Sequence, residues 1–415
     1  MYAFTMTEQT QLRRGLSLPL LVLYGLGTTI GAGIYALVGK IAGESGYLAP
    51  LAFLLAAAMA SLTALSFGEL CRRYPYSAGE AFYVREAFHW EWVSTLVGLL
   101  VVLTGLVSAA ALVNGFIGYL GEFIEVQPSL TILLVCLLLG MLAGWGIAES
   151  VSLAALVTLI EIGGLLVIVW LGLEQSTNPL ISWIAHLPEQ NWNNLGLIFA
   201  GATLAFYAFI GFEDMVNVAE EVRDVKTTMP RAIILTLVIS TLIYLLLMMV
   251  AVLTVSPSEL AKSDAPLPLV YRQLTGEDST LISVIGLFAI INGALIQIIM
   301  AARVLYGQAT MGQLPKVLTH IHVRTQTPLI ATALVTSLVL ALALIGDLAG
   351  LARTTSILML TVFAFINLAL WQIKRRDPNL ADFKPLPIWI PVVGFFVSSG
   401  IVLNELAHSL GELTV

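Results

Sequence analysis

Apolar residues recur along the chain in long blocks separated by short polar stretches. A bilayer core about 30 Å thick takes roughly 20 apolar residues as helix. Eleven blocks fit that pattern: 16–39, 48–70, 92–121, 130–146, 152–173, 197–222, 232–256, 279–302, 328–346, 352–373 and 388–410. Backbone amides in lipid find no water, so segments this long are expected to be helices. A barrel would need short alternating segments instead. The first block is too long for the core of a cleaved signal and has no small-residue cleavage pattern, so it reads as a permanent span. The expectation is an all-α polytopic membrane protein with 11 transmembrane helices, 1–415 forming a single domain.

Composition sharpens this picture. The chain is 58% hydrophobic and 11% charged, whereas a soluble domain carries about 25% charged residues. So little charge cannot cover a water-soluble surface, which excludes soluble enzymes and extracellular scaffolds. A net charge of −7 argues against a nucleic acid partner. Cys71 and Cys136 have no metal-ligand spacing, and the five histidines fall in loops or near span ends. No cofactor or metal is expected.

With the N-terminus in the cytoplasm, the 19 Lys and Arg residues split fifteen to four in favour of that side. Only Lys40, Lys262, Arg272 and Arg353 face the other way. This asymmetry orients the chain, and an odd span count puts the C-terminus outside. Trp90, Trp92, Trp145, Trp170, Trp371 and Trp389 sit at span ends, as an interfacial aromatic belt requires. Short loops and the lack of an Asn-x-Ser/Thr sequon agree with a bacterial cytoplasmic membrane.

Helix breakers locate the candidate chemistry. In the first span, Gly25-Leu26-Gly27-Thr28-Thr29-Ile30-Gly31-Ala32-Gly33 sets four glycines within nine residues, each costing a helix roughly 1 kcal/mol relative to alanine. Taken alone, this run also suits a close helix–helix contact. In the sixth span, Ala208-Phe209-Ile210-Gly211-Phe212-Glu213-Asp214 puts a glycine and two acids into an apolar helix. Spans one and six occupy the same place in two successive five-helix halves, about 16–173 and 197–373, with 388–410 as an extra span. Paired interruptions at matching positions point to inverted repeats around a mid-membrane site. Unwinding there frees N–H groups for a carboxylate and C=O groups for an ammonium, a site suited to a zwitterion.

The residues resemble the amino acid–polyamine–organocation family of transporters over nearly the whole chain. The resemblance rests on Thr29-Ile30-Gly31-Ala32-Gly33-Ile34-Tyr35, on Phe67-Gly68-Glu69-Leu70, and on Tyr74-Pro75-Tyr76-Ser77-Ala78-Gly79-Glu80-Ala81-Phe82. It rests further on Phe209-Ile210-Gly211-Phe212-Glu213 with Ala219-Glu220-Glu221-Val222, and on Ala302-Arg303-Val304-Leu305-Tyr306-Gly307 with Met311-Gly312-Gln313-Leu314-Pro315. It implies a LeuT-like 5+5 inverted repeat with broken helices 1 and 6, working by alternating access. By the same resemblance, the substrate carboxylate meets amides of Ala32 and Gly33, with Gly31 supplying the break. The amine meets carbonyls of Thr29, Tyr207 and Ile210, next to Ala208. Tyr207 or Phe206 closes over the substrate. Gln297 on span eight either faces the pocket or bonds a neighbouring helix. Two departures stand out: such proteins usually have twelve spans, and Ala32 replaces a common serine.

Two acids lie at mid-membrane, where ionisable groups are costly and mark function by default. Glu161 in span five and Glu213 in span six fall about 14 Å from the cytoplasmic end at 1.5 Å per residue. An acid kept from water favours its neutral, protonated form. By the same resemblance Glu161 occupies a place where several proton-coupled relatives carry a lysine, so it is the expected coupling residue, with Glu213 as second candidate and a structural hydrogen-bonded acid as the alternative. Glu213 suits gating, a cationic substrate, or capping of freed amides, and Asp214 next to it could share those roles. Glu69, Glu220 and Glu221 are expected to pair with Arg72, Arg73 or Arg223 near the cytoplasmic surface.

The chain has no G-x-x-x-x-G-K-[ST] loop for nucleotides and no H-E-x-x-H or nucleophile motif on a span. Nor does it show the repeated filter of a channel. The expected function is secondary active transport of an amino acid, with a proton as partner. An exchanger or exporter without proton coupling is the alternative.

Overall fold

The computed structural model describes residues 16–75, 79–145, 151–175, 178–189, 192–378 and 384–412. Arg13, Arg14 and motif residues 76–78 lie outside the described residues, as does the side chain of Ala32. The regular elements among the described residues are helices. The long ones are α1 (Leu18–Ser45), α2 (Ala49–Arg73), α4 (Glu91–Leu120), α5 (Pro128–Trp145), α6 (Val151–Gln175), α8 (Trp192–Phe206), α9 (Val225–Thr254), α12 (Thr280–Thr310), α13 (Leu329–Ile345), α14 (Leu348–Arg376) and α15 (Trp389–Glu412). Shorter helices, α3 (Gly79–Phe88), α7 (Pro179–Ala185), α10 (Pro257–Lys262) and α11 (Pro266–Thr275), lie between them. Every apolar block of the sequence overlaps one long helix. Among the described residues nine stretches are long and apolar enough to cross a bilayer, and two apolar helices, Leu18–Gly31 and Leu329–Ile345, are shorter.

Local chemistry sets the helix ends. α1 and α2 each begin with a proline in the first turn, where its missing N–H and fixed φ do no harm. The Asp347 carboxylate accepts from the amides of Ala349 and Gly350 to cap α14, whose last turn holds Lys374, Arg375 and Arg376. Acid at the start and cations at the end both suit the helix dipole. Large apolar side chains such as Met141, Trp170, Phe288 and Phe396 stay exposed on the outer helix faces, which is the expected rim for a body immersed in lipid.

Around the centre, α4 packs on α12 and α14, while α2 packs on α8 and α9. α1 touches α6, α9 and α12 and the chain that follows α8. Phe67, Phe206, Phe212 and Phe363 form an aromatic cluster with neighbouring centroids 5.4–6.1 Å apart, joining α2 and α14 to both sides of the interruption in span six. A polar network tightens the same interface: Asn367 Nδ2 donates to Thr63 Oγ1 at 2.8 Å and Ser66 Oγ donates to Asn367 Oδ1 at 2.7 Å.

One end of this assembly is tied by buried charge. Glu69 on α2 accepts from Arg73 at 2.7 Å and from Lys374 Nζ at 2.8 and 2.9 Å. Lys374 also donates to the Leu386 carbonyl at 2.6 Å, and the Leu386 amide donates to Glu69 at 2.9 Å. Arg73 is the partner expected from sequence, and Lys374, 305 residues away, is the one that spacing could not reveal. Removing one member of such a cluster strands a buried charge, at about 3–5 kcal/mol. At the opposite end of α14, Arg353 pairs with Glu44 of α1 at 3.0 Å and lies 4.0 Å from Glu405.

Candidate functional site

Two interruptions face each other at the middle of the bundle. In α1, Gly31 has φ −33° and ψ −138° inside an otherwise helical run. The carbonyls before it and the amides after it behave as at any helix end, without intrahelical partners. After α8 the chain makes a 3-10 turn over Tyr207–Phe209, passes extended through Ile210, turns at Gly211 with φ +124°, and continues as a 3-10 helix over Phe212–Glu221. The second half of span six is therefore a tighter helix than the α-helix expected of block 197–222.

Glycine is required at the crossing. A Cβ on Gly211 would lie 2.2 Å from the Thr28 carbonyl oxygen, in a φ region that L-residues rarely adopt. The backbones meet there, and Thr28 Oγ1 donates to the Gly211 carbonyl at 2.9 Å. Gly33 makes the other close approach: an added Cβ would sit 3.2 Å from Ala208 Cα and from the Tyr207 ring. A third tie comes from α9. The Tyr244 hydroxyl lies 2.8 Å from the Thr29 carbonyl and 2.8 Å from the Ala208 carbonyl. One phenolic proton thus serves a carbonyl from each interruption.

Between the interruptions lies a cavity that opens at its mouth. α1 contributes Gly27, Thr28, Thr29, Gly31 and Gly33, and the span-six segment contributes Tyr207, Ile210 and Asp214. α4 adds Ser108 and Leu112, and α12 adds Ala289, Asn292, Gly293, Ile296 and Gln297. The α12 set follows i, i+3, i+4, i+7, i+8 spacing, one stripe of a helix. Tyr207 is held over the cavity by Ser108, its hydroxyl 2.9 Å from Ser108 Oγ.

Of the residues anticipated from sequence, Thr29, Gly31, Gly33, Tyr207, Ile210 and Gln297 come together around this cavity. Phe206 does not line it; its ring is fully buried against Phe363. Ala208 is not among the lining residues; it packs its Cα near Gly33 and its carbonyl accepts from the Tyr244 hydroxyl. Glu161 and Glu213 are both buried and neither is among the lining residues. Glu161 connects to α1 through its backbone carbonyl, which accepts from the Tyr35 hydroxyl at 2.6 Å. The two adjacent acids divide: Glu213 Oε2 accepts from the Gly211 amide at 2.9 Å, capping the turn, while Asp214 lines the cavity.

Sequence reasoning missed Ser108, Asn292 and Tyr244. Asn292 had a signal, a polar residue five positions before Gln297 in an apolar span. Ser108 and Tyr244 had none, since their roles depend on which face of a uniformly apolar helix turns inward.

Helices with an apolar rim among the described residues, enclosing a cavity between two interrupted helices, are those of a multi-pass membrane protein. The relatives agree. The family model described as amino acid permease matches residues 16–405, and the chain belongs to that family. It is similar to the vacuolar cationic amino acid transporter 2 of Arabidopsis thaliana, 30% identical over 91% of this chain and 62% of the relative. It also matches the branched-chain amino acid permease BcaP of Bacillus subtilis, 24% identical over 93% of this chain and 86% of that protein. An uncharacterised transporter of Mycobacterium tuberculosis is 30% identical over 92% of this chain and 84% of its own length. Against the three plant relatives the chain spans less than two thirds of their length, 62–66%. These relatives are transporters and permeases, not enzymes.

Proposed function

We propose that this protein carries an amino acid across a membrane by secondary active transport. The observation that carries the reading is the pair of interruptions at Gly31 and Gly211, held back to back over one cavity. An exposed helix start favours an anion and an exposed helix end favours a cation. A site made from both takes the α-carboxylate at the amides of Ala32 and Gly33. It takes the α-ammonium at the carbonyls around Thr29 and Ile210, under the Tyr207 ring. The printed substrates of the relatives, cationic and branched-chain amino acids, share this backbone and differ in side chain.

The reading extends to a LeuT-like arrangement of eleven spans in one domain: repeats at about 16–173 and 197–373, and an added span at 388–410. The N-terminus is in the cytoplasm, the C-terminus is outside, and the membrane is the cytoplasmic one. Alternating access moves the cavity between the two sides. Glu161, 3% exposed on α6 and joined to α1 at Tyr35, takes and releases the coupling proton. Glu213 acts as a cap that tracks the state of the span-six turn.

A second reading, exchange without proton coupling, is favoured by one observation: neither Glu161 nor Glu213 reaches the cavity wall. Uptake of labelled amino acids into proteoliposomes, with and without an imposed pH gradient, separates the two. The expected result is accumulation driven by an inward proton gradient, lost in Glu161→Gln while counterflow persists. Counterflow with no response to the gradient selects the exchanger. No flux of any amino acid would overturn both.

A further inference from the structure

Resting on the amino acid reading, we propose that Asp214, with Asn292 and Gln297, forms the subsite that reads the substrate's side chain. This subsite takes a side chain ending in a cation rich in N–H donors, an amine or a guanidine.

Three of the seven polar side chains lining the cavity are already committed, and the Thr29 hydroxyl is buried without a partner among the described residues. Thr28 Oγ1 donates to the Gly211 carbonyl, and the Tyr207 hydroxyl pairs with Ser108. Asp214 differs from these and from its neighbour Glu213, which is occupied by the Gly211 amide. Asp214 lines the cavity, and among the described residues no donor meets its carboxylate. Asn292 and Gln297 stand in the same condition on the α12 stripe, lining the cavity with no side-chain partner among the described residues. Three polar groups thus converge on one space and leave their hydrogen bonds to whatever enters it.

Charge then selects the solute. Among the described residues no Lys or Arg lines the cavity, so Asp214 is the single acid there and no protein cation faces it. The two ends of a zwitterion balance each other on the broken helices and leave the Asp214 carboxyl unmatched. A carboxylate in a poorly hydrated wall is costly without a partner. A side-chain cation supplies both the opposite charge and charge-assisted N–H bonds. The Asn292 and Gln297 carbonyl oxygens accept further N–H groups, which suits a multi-donor guanidinium or ammonium.

Paired isosteres test this on the purified full-length chain by thermal shift and calorimetry. Arginine and citrulline differ little in length, and only arginine is charged; lysine and norleucine make a second pair. Arginine is expected to bind at least about tenfold more tightly than citrulline, the scale of a charge-assisted contact. Asp214→Asn brings arginine down to the citrulline level, and Asn292→Ala shrinks the ratio in the same direction. Equal binding of arginine and citrulline by the wild type overturns the subsite and leaves amino acid transport standing, and it does so even if Asp214→Asn does not fold. An Asp214→Asn protein that weakens both ligands alike also overturns it, because a structural acid behaves that way. If none of the twenty amino acids binds, the transport reading fails and the subsite fails with it.

Discussion

The two interruptions at the centre of the bundle are built differently. In α1 the break is confined to Gly31, the helix resumes at once, and a Cβ added there meets nothing within 4 Å. In span six the departure runs from Tyr207 to Glu221 through two 3-10 segments, and its glycine is clamped. Gly211 combines φ +124° with a 2.2 Å approach to the Thr28 carbonyl, an acceptor bond from Thr28 Oγ1 and a Glu213 cap on its amide. One break borders open cavity and the other is wedged against its partner. Gly31 therefore shapes the space for a solute, whereas Gly211 holds the two broken helices in register, with Tyr244 as the bolt across both.

Substitutions can break or sharpen this contrast. Gly211→Ala has the largest expected effect. Strain at a positive φ and a backbone clash together cost about 3 kcal/mol or more, seen as loss of monodisperse folded protein on size-exclusion chromatography. Wild-type folding and thermal stability in Gly211→Ala would erase the distinction. Tyr244→Phe comes next. It removes the one donor shared by the Thr29 and Ala208 carbonyls, costing about 1–2 kcal/mol and lowering the melting temperature and ligand affinity together. A Tyr244→Phe protein unchanged in both would show that the bolt carries no load. Gly31→Ala has the smallest expected effect on stability, about 1 kcal/mol, but its methyl group occupies the cavity and weakens binding more than melting. If Gly31→Ala unfolds the protein as readily as Gly211→Ala, the two breaks are mechanically alike.

How much of this was legible in the sequence differs between the bundle and the site. Apolar blocks such as 130–146 and 328–346 meet α5 and α13 within two residues, because lipid demands continuous apolar helix whatever the tertiary partner. Both interruptions were also legible, since glycines and acids inside a span run against local propensity. The facing of each span was not. A helix apolar all round has no stripe to mark its inner side, so Ser108 and Tyr244 gave no warning of where they point. The roles of Glu213 and Asp214 hung on one residue of turn geometry at Gly211, and spacing alone could not divide them. Lys374, which the sequence offered only as one of the cations on the cytoplasmic side, is buried on Glu69. Its partner comes from a helix distant in the chain, and no local pattern announces such a pair.

The central claim is that the broken ends of α1 and span six grip both ends of an amino acid through their peptide groups. Its most direct test takes the best-binding amino acid and masks one end at a time, as the methyl ester and as the Nα-acetyl derivative, with calorimetry on the purified protein. The account predicts that either mask alone abolishes binding, because each removes the charge that one broken helix holds. A derivative that keeps the parent's affinity with either end masked would contradict it.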